Sequence, residues 1–264
     1  VIQQQNNFLW GKLNGLSRFL LNHTVSGFLP LYIVNEYPKS GGSWLGQMLS
    51  EALQVPFPRN RLPMLRSSIM HGHYIWPGNM KNIVILWRDG RDVLVSQYYH
   101  SLFYNEKGNQ RGVEITRHSV SFTDYEDICN NLPEFIEYTY KQKGNLGFSW
   151  ADFYMVWGNR ENVIHVQYEN LRTDPAKELQ RIVFALTTKK ISHERATEIA
   201  DKFSFEKQSG RKPGQENTKS FMRKGIVGDW INHFSPNAKK LFNEYAGNAL
   251  IGLGYEKDHS WINL

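Results

Sequence analysis

The run Asn82-Ile-Val-Ile-Leu-Trp87 constrains the fold more than any other stretch of the chain. Apolar residues follow one another there without the polar alternation of a strand that faces water on one side. Such strands belong to parallel sheets with both faces covered. Two further runs, Leu31-Tyr-Ile-Val-Asn-Glu-Tyr37 between Pro30 and Pro38, and Asn162-Val-Ile-His-Val-Gln167, also read as strands. Helical periods alternate with them: Ser43 to Leu53 (Leu45, Met48, Leu49, Leu53), Asp92 onward (Val95, Tyr98, Tyr99, Leu102), Pro175 to Leu186 and Ser192 to Phe203. A further helix is predicted over Leu9 to Leu21, with Leu9, Leu13, Leu16, Phe19 and Leu20 on one face. This alternation predicts an α/β fold, a mostly parallel central sheet flanked by helices. With 264 residues and no repeat or Ser/Gly-rich linker, the chain reads as a single domain over 1–264, its residues 1–30 forming an N-terminal helical extension. Asn105 to Asn131 and Glu206 to Ser220 lack a clear period and are expected to be irregular binding or lid segments.

Composition narrows the function classes. At 41% hydrophobic and 21% charged residues, the chain is neither disordered, collagen-like nor coiled coil. Cys129 is its single cysteine, which excludes intrachain disulfides and Cys-rich metal clusters and suggests a reducing, cytoplasmic location. The longest uncharged run, Phe19 to Asn35, is broken by Asn22, His23, Thr24, Gly27 and Pro30, so no transmembrane segment is expected. The chain opens on Val1 rather than Met, which leaves room for a targeting segment already removed. The net charge of +6 favours anionic partners, yet the basic residues are scattered and form no nucleic-acid arm. Asn22-His-Thr24 fits a glycosylation acceptor.

The chemistry concentrates first in Tyr37-Pro-Lys-Ser-Gly-Gly-Ser-Trp44, between strand and helix. Gly41 and Gly42 permit a backbone that turns consecutive N–H groups around an anion, and the helix start adds its dipole and unpaired amides. Lys39 supplies a charge, and Ser40 and Ser43 supply hydroxyls. The loop is P-loop-like in physics but not in wiring, because Lys39 precedes both glycines where an ATP-binding P-loop has GK[ST]. A second anion site is expected at Arg88-Asp-Gly-Arg91, where Arg88 can fork onto a phosphate and Ser96 adds a hydroxyl two helical turns on.

PKSGGSW at residues 38–44 resembles the 5′-phosphosulfate loop, commonly PKSGTTW, of PAPS-dependent sulfotransferases. Gly42 and Ser43 stand where that form has two threonines. Arg88 and Ser96 match the family's 3′-phosphate motif. Phe221-Met-Arg-Lys-Gly-Ile-Val-Gly-Asp-Trp230 matches its FMRKGxxGDW segment almost letter for letter. The resemblance implies that Arg223, Lys224 and Gly225 hold the 3′-phosphate, with Phe221 near the adenine and Trp44, Tyr168, Ser204 and Phe205 at further adenine-side positions. It covers about Tyr37 to Trp261 and implies the cofactor PAPS, released as PAP, with no metal.

Transfer of a sulfuryl group by in-line displacement needs a base for the acceptor hydroxyl or amine, and histidine is the natural one. The family's KTH-like segment corresponds to Ile69-Met-His-Gly-His-Tyr74, where His73 takes the base position and His71 stands at the Lys, His71 being the alternative base. Lys39 is the candidate to stabilise charge on the bridging oxygen. The expected acceptor is a small molecule, lipid or carbohydrate, with Phe103, Tyr104, His118 and Phe122 as candidate wall residues. The family's KxxxTVxxxE dimer segment is degraded in Ile231 to Lys240, leaving the oligomeric state open. Rival readings are a P-loop kinase or NTPase, and an inactive PAP-binding module of the same fold.

Overall fold

The computed structural model describes residues 13–25, 28–59, 61 and 63–263. These residues form two compact units. The first runs to Glu36 and adds Ser40–Trp87 and Arg160–Phe203; the second comprises Tyr37–Lys39, Arg88–Asn159 and the chain from Ser204 on.

The first unit holds the sheet. Strands β1 (Leu31–Glu36), β2 (Ser68–Gly72), β3 (Ile83–Trp87) and β4 (Ile164–Gln167) lie in the order β2-β1-β3-β4. Every pairing is parallel. All five residues of β3 are buried, as its unbroken apolar run requires. The crossover from β1 to β2 runs through helix Gly42–Leu53, and the chain then returns to the other side of β1 as β3. The order therefore reverses between β1 and β3, whose carboxyl ends lie side by side with Glu36 opposite Leu86. Such a switch point is where open α/β sheets bind ligands. Leu45, Met48 and Leu49 of helix Gly42–Leu53 are buried with Val34, Ile69, Val84 and Leu86 of the sheet. Helices Pro175–Thr187 and His193–Lys202 complete this core with Leu179, Ile182, Val183, Ala196 and Ile199.

The sequence foresaw three of the strands; β2 is additional. It is an edge strand in which only Ser68, Ile69 and Met70 are buried, too short a run for periodicity to reveal. Residues 13–20 are helical and continue as one wider turn, Leu21–Val25; the part of the predicted helix before Leu13 lies outside the described residues. Arg18 anchors this segment by donating to the carbonyls of Pro58 and Arg61. Asn22 is fully buried, so the glycosylation reading of Asn22-His-Thr24 is overturned.

The second unit is helical, built on Gly90–Leu102, Gln110–Ser119, Ile128–Gln142, Trp150–Trp157 and Pro236–Gly252. Tyr98, Phe135, Phe153, Trp157 and Phe242 fill its interior. Arg91 is also buried, paired with Asp89 and Glu256 and stacked on Trp230 at 3.7 Å. The stretch from Asn105 to Asn131, read as irregular, contains helix Gln110–Ser119 and the start of Ile128–Gln142. Helix Gln110–Ser119 buries only Val113 and Thr116, so it carries no apolar stripe to read. The stretch after Glu206 likewise includes the single-turn helix Phe205–Ser209. Among the described residues no helix is long and apolar enough to cross a membrane.

Leu49 is fully buried beneath the sheet. Replacing it with alanine is expected to lower stability by about 2–5 kcal/mol, read as a shift in urea midpoint.

Candidate active site

In the first unit, β1 ends at Glu36 and helix Gly42–Leu53 begins six residues later. Gly41 caps that helix with φ at 104°, and a Cβ there would lie 2.8 Å from the ring of Tyr168. Any other residue would be strained at that φ and would push Tyr168 away. Tyr168 in turn packs edge-on to Trp44 with ring centroids 5.9 Å apart, and Arg172 faces Trp44 at 5.7 Å. The loop glycine Gly41 and two of the residues expected on the adenine side, Trp44 and Tyr168, are thus brought together. Ser40 is buried, whereas Ser43 opens onto a cavity of about 370 Å³ that is also lined by Gln47, Glu51, Phe57 and Arg59. The Ser43 amide lies in the first helical turn, where no carbonyl of the helix can accept it.

Both candidate histidines converge on Glu36, which sequence reasoning missed. One oxygen of the buried Glu36 carboxylate accepts the Gly42 amide, and the other lies 3.0 Å from Nε2 of His71. The Glu36 carbonyl lies 2.9 Å from Nδ1 of His73. The imidazoles meet edge to face, with centroids 5.1 Å apart. Burial works against ionising Glu36, but hydrogen bonding from His71 and the nearby imidazoles outweigh it and hold the carboxyl below its ordinary range. Burial lowers the pKa of His73; the Glu36 charge opposes this only in part. His73 is therefore neutral at neutral pH. With Nδ1–H donated to the Glu36 carbonyl, its Nε2 carries the lone pair. No metal was expected from the sequence, yet Glu36, His71 and His73 bring ligand-type atoms within 4.8 Å of one another. Both carboxylate oxygens and His71 Nε2 already serve in the hydrogen bonds just described, so the cluster reads as an internal network. Glu36 had no motif to mark it; its one sequence signal was an acidic residue at the end of an otherwise apolar strand.

The second unit holds the other predicted groups. Lys39, at φ 77°, places Nζ 3.9 Å from the centroid of Phe221, and its carbonyl accepts from Arg88. Arg88 also donates to the Ile226 carbonyl and lies 3.7 Å from Asp92. Asp92 accepts the amides of Gly228 and Trp230, which fastens the Phe221–Trp230 segment to helix Gly90–Leu102. Ser96 is part-buried on that helix. Arg223 and Lys224 both pair with Asp229, and Arg223 also with Glu216. Burial alone would raise the pKa of Asp229, but hydrogen bonds from His233, Lys224 and Arg223 pull it far below the usual carboxylate range. Gly225 takes φ 66°, and a Cβ there would sit 2.4 Å from the ring of Phe205. Ser204 spends its hydroxyl as the cap of helix Phe205–Ser209. Asp92, Asp229 and His100 were not foreseen. His100, edge-on to Phe221 at 5.8 Å, has its pKa pushed down to about 4 by burial and the charge of Lys39. Of the expected acceptor-wall residues, Phe122 stacks on Tyr98 and Phe103 leans on Tyr99, while Tyr104 and His118 are exposed.

A family profile described as a sulfotransferase domain matches residues 60–254. Sulfotransferase 1B1 of Mus musculus is 26% identical across 85% of this chain and 84% of its own length. Sulfotransferase 1E1 of Homo sapiens is 25% identical across 81% of each. Among solved structures, mouse sulfotransferase SULT7A1 complexed with PAP superposes with a TM-score of 0.61 at 20% identity, covering 84% of this chain and 86% of that one. Retinol dehydratase in complex with androsterone and inactive cofactor PAP gives 0.56 at 16%, covering 89% and 85%. These two structures share the fold.

His73 and His100 stay neutral in the folded chain at pH values where the unfolded chain would protonate them, about 6.5. The unfolded state then binds more protons, so stability is expected to fall as pH drops from about 6.5 toward 4. His100→Asn should make that slope shallower in urea titrations at successive pH values; an unchanged slope removes His100 from the account.

Proposed function

The chain belongs to the sulfotransferase family, and on that premise we propose that it moves the sulfuryl group of PAPS to the hydroxyl or amine of a small-molecule acceptor with His73 as base. The observation that carries this reading is the hydrogen bond from His73 to the Glu36 carbonyl, which leaves Nε2 unprotonated. At that atom the acceptor proton is taken up as the hydroxyl attacks. The half-buried, neutral imidazole suits the task because a protonated ring has nothing left to accept with.

PAPS supplies an activated sulfuryl group, and two sets of residues in this chain suit its two charged ends. The loop Ser40–Trp44, whose glycines admit no side chain, is the proposed 5′ subsite of the first unit. Arg88, Ser96, Arg223, Lys224 and the Gly225 amide are the proposed 3′-phosphate subsite of the second. Arg223 and Lys224 already share Asp229, which orients their donors, and binding a phosphate redistributes those donors rather than recruiting new ones. Lys39 rests on Phe221 and turns from that ring to stabilise charge on the bridging oxygen. Transfer of this kind depends on positioning and charge stabilisation more than on covalent help. The unpaired cysteine and the absence of a spanning helix among the described residues support a cytoplasmic site of action.

With labelled PAPS and an acceptor library, the wild type is expected to form a sulfated product and release PAP. His73→Ala should keep PAP affinity by calorimetry and lose roughly 10²–10⁴-fold in turnover. Arg88→Ala should mainly weaken PAP binding. An enzyme that ignores PAPS and hydrolyses ATP would support the kinase reading, and PAP binding without product would support an inert module.

A further inference from the structure

Two departures from the family's motifs meet at one residue. Gly42 stands where the common loop has threonine, and His71 stands where the KTH-like segment has lysine. Both touch Glu36: the Gly42 amide donates to its carboxylate, and His71 Nε2 lies 3.0 Å from the other oxygen. A Cβ on Gly42 would fall 2.6 Å from Glu36 Cδ and 2.7 Å from His71 Nε2. Gly42 has no positive φ, so its backbone does not demand glycine. The space demands it: the Glu36–His71 pair fills the volume a side chain would take.

We propose that Glu36 is a positioning residue that joins the anion loop and both histidines into one preset unit. The assignment rests on the reading of His73 as base. The carboxylate holds the loop through Gly42 and fixes His71 with its proton on Nε2. The carbonyl of the same residue fixes His73 with its proton on Nδ1. Because the two rings are in edge-to-face contact, a change in the tautomer or tilt of His71 is passed to His73. Arg59 adds a further charge that bears on both Glu36 and His73. A buried carboxylate has to be fully paired, and here the Gly42 amide and His71 do the pairing.

Two sets of variants test this. Glu36→Gln is nearly isosteric, and its carbonyl oxygen still accepts the Gly42 amide. Its amide, however, donates toward His71 and drives the His71 proton to Nδ1. Turnover should fall at least about tenfold with melting temperature near wild type and with the PAPS KM little changed, and the acidic limb of the kcat profile should shift. A side chain that merely fills space would leave that profile in place, and such a result overturns the proposal. In the second set, Gly42→Thr and Glu36→Ala should each lower the melting temperature. The double variant should be no less stable than Glu36→Ala alone, because the clash with the carboxylate is gone and His71, released from it, can turn away from the new side chain. Additive losses would also overturn it. The melting cycle needs no turnover, so it reads the clamp even if PAPS proves not to be the donor, which calorimetry of wild-type protein with PAP decides separately.

Discussion

A carboxylate buried at the carboxyl end of a parallel strand is the constraint around which the first unit is arranged. Glu36 is 4% exposed. Left unpaired, a charge so placed costs several kcal/mol, so the fold either neutralises it or surrounds it with donors. The chain does the latter, and each donor excludes an alternative: the Gly42 amide comes close only because Gly42 lacks a side chain, and the second oxygen requires an imidazole on the neighbouring strand. Parallel register supplies that neighbour, since Val34 of β1 stands opposite His71 of β2. Strand register, loop sequence and site chemistry meet at one buried charge.

The second unit repeats the device with aspartates. Asp89 holds the buried Arg91, Asp92 gathers two amides of the Phe221–Trp230 segment, and Asp229 gathers Arg223, Lys224 and His233. Burial pushes the pKa of Asp92 upward despite the Arg88 charge and the amides, whereas three donors take Asp229 the opposite way. Asp92 is thus a fastening met mainly by neutral amides, and Asp229 is an ionic hub. The hub holds its cations already oriented, so less side-chain entropy would remain to be lost if the anion proposed for this segment joined them.

What could be read in advance follows from how far each signal travels along the chain. β3 and the helices with an apolar stripe were legible because burial on a repeating face leaves a local period. The PKSGGSW loop, Arg88 and the Phe221–Trp230 segment were legible as short motifs with a mechanism. β2 was not, because an edge strand of five residues with three buried leaves almost no pattern. Helix Gln110–Ser119 was hidden for the opposite reason, being too polar to show a stripe. Glu36, Asp92 and Asp229 escaped because their meaning is tertiary. Their partners lie three to 138 residues away, and an acidic side chain gives no sign in sequence of which cations it will meet.

The same distinction explains why the overall charge of +6 says little about the anion loop. A carboxylate beside a phosphate-type loop looks self-defeating, since it adds a negative charge where an anion is to bind. The local arrangement reverses that. Glu36 is turned onto the Gly42 amide and His71, so its charge is spent inside the network, while the first-turn amide of Ser43 and the helix dipole are left to the anion proposed for the loop. Coulombic interaction falls with distance and is screened within about 8–10 Å in physiological salt, so the orientation of a few buried groups outweighs a surplus of surface lysines and arginines. An internal acid that spends its charge on the Gly42 amide and His71, and whose backbone carbonyl holds His73, ties the loop and both imidazoles together without leaving a free negative charge at the loop.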